Sequence, residues 1–112
     1  MEYRKLGGTA LEVSTLCLGS MTWGEQNGES EAFAQIAMAR DHGVNFIDTA
    51  EMYPVPPRPE TYAATERIIG NWFRRHGDRE QWTLASKIAG PGNGISHIRD
   101  GQLRHNRQHI VA

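Results

Sequence analysis

The chain has 112 residues, 38% of them hydrophobic, and a formal net charge of −1. That length predicts one small domain with a modest packed core, and the near-neutral balance excludes an electrostatic pull toward nucleic acid or an anionic membrane. A single cysteine rules out an internal disulfide and fits a reducing compartment. No stretch approaches the ~18 apolar residues of a membrane span, and no leader pattern is present, so a cytoplasmic protein is expected.

Taken in order, Tyr3 to Val13 carries the turn signal Gly7-Gly8 between short mixed stretches and predicts a hairpin. Thr15-Leu16-Cys17-Leu18 is a near-continuous apolar run ending at Gly19, the pattern of a strand buried on both faces. Cys17 is expected inside, as a small core residue. A helix follows from Ser30 as N-cap to a stop at Gly43, with Phe33, Ile36 and Ala37 on one face. Val44 to Ile47 predicts a second strand, ending on Asp48.

Next comes a proline-rich loop, Tyr53-Pro54-Val55-Pro56-Pro57-Arg58-Pro59, where helix and central strand are excluded. A second helix is predicted from Thr61 to His76, with Ile69, Trp72 and Phe73 packed inward and Gly77 ending it. Trp82 to Ser86 predicts a third strand, ending on Lys87; Gly90 to Gly94 is a loop, and a last helix begins near Leu103 and runs to Ala112. A hairpin followed by alternating β and α elements implies a parallel sheet, either doubly wound or part of a (β/α)₈ barrel.

Ser20, Asp48 and Lys87 each lie at or just past the C-terminal end of a predicted parallel strand. Such positions converge at the mouth of a barrel or the ligand edge of an open sheet. An aspartate beside a lysine keeps the ammonium charged, and a charged lysine favours the phenolate of a neighbouring tyrosine, lowering a phenol from its reference of ~10. A phenol tuned that way can donate a proton to a carbonyl oxygen. Tyr53, five positions after Asp48, can reach the same mouth. The plainer readings are a turn cap for Asp48, a solvated Lys87 and a packing aromatic for Tyr53. Trp23 either lines a pocket or packs under a loop. Glu66 reads as a helix carboxylate with a local partner, and the five histidines lack metal-ligand spacing.

Together, Asp48-Thr49-Ala50-Glu51-Met52-Tyr53 and Ala85-Ser86-Lys87 resemble the aldo/keto reductase signature. Leu18-Gly19-Ser20-Met21-Thr22-Trp23-Gly24 resembles that family's first βα loop, Glu66-Arg67-Ile68-Ile69-Gly70 its second-helix motif, and the insertion Tyr53 to Glu60 its bacterial Tas-like branch. The resemblance implies the N-terminal portion of a (β/α)₈ barrel over residues 1–112, with the hairpin closing the barrel's bottom and the third helix cut short. It also implies hydride transfer from NADPH to a small aldehyde or ketone. Of the family's Asp, Tyr, Lys and His tetrad, three members map here: Tyr53 as proton donor, Lys87 as the group that lowers its pKa, and Asp48 as the partner of Lys87. Gly19, Ser20, Met21 and Asp48 match positions near the nicotinamide end of the cofactor.

The family's histidine ends the fourth strand, and none of His42, His76, His97, His105 and His109 has that setting. Its main cofactor phosphate contacts lie near the last strands, and no Gly-x-Gly-x-x-Gly stands in for them. Three strands cannot close an eight-stranded barrel. The isolated chain is therefore expected to aggregate, to stay partly molten or to need a partner fragment, and to lack reductase activity. The alternatives are a non-catalytic NADPH-holding regulatory subunit, an inert truncated product, and a barrel in which Lys87 forms a Schiff base.

Overall fold

A computed structural model describes residues 1–111. It contains five strands and three helices: β1 (Tyr3–Lys5), β2 (Glu12–Ser14), β3 (Leu18–Gly19), α1 (Glu29–Asp41), β4 (Phe46–Asp48), α2 (Ala64–His76), β5 (Thr83–Ala85) and α3 (Arg107–Val111). Short 3₁₀ turns occupy Arg79–Gln81 and Arg99–Gly101.

The predicted hairpin is present, with Arg4 opposite Val13 in an antiparallel register. It docks under the sheet through Asn45, which the sequence reading passed over. The Asn45 Oδ1 accepts from the Ser14 amide at 2.7 Å and its Nδ2 donates to the Glu12 carbonyl at 3.0 Å. The Tyr3 hydroxyl adds a bond to the Gly43 carbonyl at 2.7 Å. These contacts place the hairpin at the N-terminal end of β4, away from the strand ends that carry Asp48 and Lys87.

Strands β3, β4 and β5 form one parallel sheet in sequence order. Its register explains the core. Leu18, Ile47 and Leu84 stand side by side and face the helices, with Ile47 fully buried. There they meet Ala32 and Ile36 of α1, Ile68, Ile69 and Trp72 of α2, and Trp82. Because side chains alternate along a strand, Gly19, Asp48 and Ala85 lie on the opposite face. That face is the more open one: Gly19 is exposed, and Asp48 and Ala85 are half-buried.

This one-sided cover corrects the expectation for the first strand. Leu16 is 62% exposed and Cys17 is exposed, so neither belongs to the core. The strand itself is shorter than predicted: residues 15–16 bend, with the Ser14 hydroxyl donating to the Leu16 carbonyl at 2.6 Å.

Helix ends follow local chemistry. The first helix is capped at Gly28 and not at Ser30, because the Glu31 carboxylate accepts from the Gly28 amide at 3.0 Å. Its end is as expected, with Gly43 at φ 81°. The second helix starts at Ala64, since Ala63 adopts φ 59° and interrupts the helical path from Thr61. Its last turn carries Arg74, Arg75 and His76, which complement the negative end of the helix dipole, and Gly77 ends it in the left-handed conformation. The last helix begins at Arg107 and not at Leu103, because Asn106 Oδ1 accepts the His109 amide at 2.9 Å. Leu103 is buried instead in a second small core with Ala89, Ile95 and Ile98, against Met52 and Tyr62. Ala112, where that helix was expected to run, lies outside the described residues.

Candidate active site

Each candidate side chain is placed by the end of a strand. Asp48 is the last residue of β4, and Lys87 follows β5 by two positions. The Lys87 ammonium donates to both carboxylate oxygens of Asp48, at 2.6 and 2.8 Å, and to the Thr49 carbonyl at 2.8 Å. All three hydrogens of the ammonium therefore have acceptors. Tyr53 completes the group: Lys87 Nζ lies 5.2 Å from the centroid of its ring. Partial burial pushes the Lys87 pKa down, but its hydrogen bonds to the Asp48 carboxylate and the nearby oxygen of Tyr53 outweigh it, and the ammonium is held above its ordinary value of 10.5. The pair thus keeps a fixed positive charge beside a phenol.

Tyr53 is carried by a turn in which its amide donates to the Ala50 carbonyl at 3.1 Å. Gly19 ends β3 directly opposite Asp48. The Ser20 hydroxyl, buried, is committed to the Asp48 carbonyl at 2.7 Å. Met21 is open, and its carbonyl accepts the Val55 amide at 3.0 Å, which ties the proline-rich loop to the first βα loop. Residues from three strand ends, scattered over 19 to 87 in sequence, are brought to one edge of the sheet.

The Asp48–Lys87 pair contributes little to stability. The two side chains are 42% and 48% exposed, and exposed ion pairs are worth ~0.2–1 kcal/mol. Asp48→Asn is expected to lower unfolding free energy by less than ~1 kcal/mol in urea titrations; a larger loss would make the pair a structural bolt.

Trp23, left open between pocket and packing, is settled as packing: it is 1% exposed and its indole donates to Gln35 Oε1 at 2.7 Å. Glu66 was expected to have a local partner, but it accepts instead from the Ser86 hydroxyl, 20 residues on and just past β5, at 2.5 Å. Two residues escaped the sequence reading. Glu51 sits inside the signature and gathers donors from Tyr62, Ala89 and Arg99. Buried Asp78 accepts from the indoles of Trp72 and Trp82. Nothing in their spacing singles them out.

The model of the aldo/keto reductase family matches residues 15–111. The chain belongs to the aldo/keto reductase family. It is 53% identical over 103 residues to the Protein tas of Escherichia coli, a match that covers 91% of this chain and 30% of that protein. An uncharacterised oxidoreductase of Bacillus subtilis, YrpG, is 40% identical and is covered over 34% of its length. Among solved structures, a putative aldo-keto reductase from Pseudomonas aeruginosa superposes with a TM-score of 0.63 at 37% identity, over 77% of this chain and 30% of that one. The chain thus spans about a third of these relatives. An uncharacterised 11.2 kDa protein of Pseudescherichia vulneris differs in being matched over 86% of its length, at 34% identity.

The aldo/keto reductase fold seen here is the first portion of a (β/α)₈ barrel: the hairpin, then β3–α1, β4–α2 and β5 with the segment after it. The uncovered sheet face corresponds to the barrel interior, and the candidate site to its mouth. The family as a whole uses a nicotinamide cofactor. A Cβ placed on Gly19 meets open space and Met21 is accessible beside it, so this edge of the sheet leaves room for a ligand. The proton of the Ser20 hydroxyl is committed to the Asp48 carbonyl, which leaves that oxygen as an acceptor only. No helix of the described residues is long and apolar enough to cross a membrane.

Proposed function

We propose that this chain supplies the proton-handling part of an NADPH-dependent carbonyl reductase. The observation that carries the reading is the three-way contact of Lys87 with Asp48, the Thr49 carbonyl and the Tyr53 ring. Tyr53 is the group that gives its proton to the carbonyl oxygen of an aldehyde or ketone. Lys87 stabilises the phenolate left behind, and Asp48 keeps the ammonium charged and aimed. NADPH, when bound, supplies the hydride. Gly19, Ser20 and Met21, with Asp48, would hold its nicotinamide end, the first three through backbone and the Met21 side chain. The 112 residues alone do not turn over, since β3 and β5 present open edges and the inner sheet face meets water.

The test is a chimera in which residues 1–89 replace the matching segment of the Escherichia coli relative. Aldehyde- or ketone-dependent oxidation of NADPH is expected from the chimera and not from the 112-residue chain. A folded chimera that binds NADPH yet reduces no carbonyl would favour a second reading, a cofactor-holding binding subunit. That reading draws on the 38% identity to a probable voltage-gated potassium channel subunit beta of Arabidopsis thaliana.

A further inference from the structure

We infer that Glu51 is a positioning residue that sets the spacing between Tyr53 and Lys87. The inference rests on the reading of Tyr53 and Lys87 given above and assigns the part that holds them in place. Glu51 is the second residue of the Ala50–Tyr53 turn, so any shift of its backbone moves the tyrosine. Its amide donates to the Lys87 carbonyl at 3.0 Å. Its carboxylate reaches two residues further along the same segment, where Oε2 accepts the Ala89 amide at 2.8 Å. Backbone and side chain of one residue therefore grip the Lys87 segment on both sides of Ile88, while the following residues present Tyr53. The tyrosine and the lysine come from different strand ends, and this double attachment ties their loops together directly.

The other carboxylate oxygen is held from outside. Glu51 Oε1 accepts from the Tyr62 hydroxyl at 3.0 Å and from the Arg99 guanidinium. Side-chain exposure is 17% for Glu51 and 22% for Arg99, so this ion pair is much drier than the exposed Asp48–Lys87 pair. Partial burial pushes the Glu51 carboxyl up, but the Ala89 amide, Arg99 and Tyr62 pull it further down, and it is held below the ordinary carboxylate value. Burial and the Glu51 charge in turn push the Tyr62 phenol up, keeping it a donor. With three donors on a half-buried carboxylate, the side chain has one rotamer that satisfies every partner, and the turn bearing Tyr53 inherits that rigidity.

A purely structural role predicts something different. Glu51 would then serve only to seat the second core of Ala89, Ile95, Ile98 and Leu103, and Tyr53 would keep its place through Pro54 and the Met21–Val55 bond. The two roles separate in the 112-residue chain itself, which has only two lysines and three tyrosines to assign. The readout is the nuclear Overhauser contact between the Lys87 ε-methylene and the Tyr53 ring, with the indole N–H resonances of Trp72 and Trp82 as an independent report on the main core. In the unsubstituted chain the contact is present. Glu51→Ala is expected to abolish it while the two indole resonances stay in place. Glu51→Gln, which keeps an oxygen for the Ala89 amide, is expected to restore part of it. Persistence of the full contact in Glu51→Ala overturns the inference and leaves the site reading untouched. Loss of the contact together with the indole signals, in both variants, makes Glu51 a structural residue and also overturns it. Absence of the contact in an unsubstituted chain whose two indole resonances are in place removes the site reading beneath it, and this inference with it.

Discussion

Asp78→Ala is expected to be the most destabilising single change in the chain, costing about 2–6 kcal/mol. The carboxylate is buried and gathers two indoles: Trp72 Nε1 donates to both its oxygens at 3.1 Å, and Trp82 Nε1 donates to one at 3.3 Å. Trp72 and Trp82 are 2% and 4% exposed, so truncation leaves two indole donors without water to replace the acceptor. Each orphaned donor costs ~1–3 kcal/mol, which gives the range stated. Arg40, 3.8 Å from the carboxylate and 37% exposed, adds little, because its guanidinium can turn to solvent. A domain of this size holds only ~5–15 kcal/mol in total, so the loss takes a large share of it. Urea unfolding followed by tryptophan fluorescence measures it. Adding Trp72→Phe to Asp78→Ala should cost less than the sum of the two single changes, because one orphan disappears with its indole. A loss below ~1 kcal/mol for Asp78→Ala would show that the indoles find other acceptors and that the carboxylate is incidental.

The second large effect concerns turnover. In the chimera, Tyr53→Phe is expected to lower carbonyl reduction by ~10²–10⁴-fold, the range for a positioned general acid. The change removes one oxygen and keeps the ring that faces the Lys87 ammonium at 5.2 Å. Loop packing and NADPH affinity should therefore be preserved, which separates the loss of a proton from the loss of a fold. Steady-state rates with an aldehyde, alongside a fluorescence titration with NADPH, give both quantities. If rate and affinity fall together, Tyr53 is holding the cofactor and another group is the acid. If neither falls, the proton comes from elsewhere and Lys87 needs another explanation.

Much of this site was legible in the sequence because strand direction alone decides it. Asp48 and Lys87 close short apolar runs, and parallel strands deliver their last residues to one edge. The motif spacing added Tyr53. What the sequence hid depends on contacts made across distance. Asn45 looks like an ordinary polar residue near the start of a strand until the hairpin folds under it. Glu51 looks like any carboxylate beside a motif until Tyr62 and Arg99, 11 and 48 residues away, close on it. Asp78 follows a helix-ending glycine and reads as a turn residue, yet two tryptophans need it. The misplaced core residue, Cys17, shows the reverse failure. Its apolar neighbours suggest burial on both faces, and the sheet is covered on one.

That one-sided cover also bears on how strongly the lysine can act. Two unit charges 4 Å apart interact by ~1 kcal/mol in bulk water and by ~4 kcal/mol at the effective dielectric of a protein surface. With Asp48 and Lys87 about half exposed on the open side, the pair works near the weak end of that range. Any structure laid over the inner sheet face would raise the field at the phenol severalfold without moving a single atom of the cluster. The geometry of the ion pair is thus written locally in the strand ends, while the strength of its field comes from whatever shuts out the solvent.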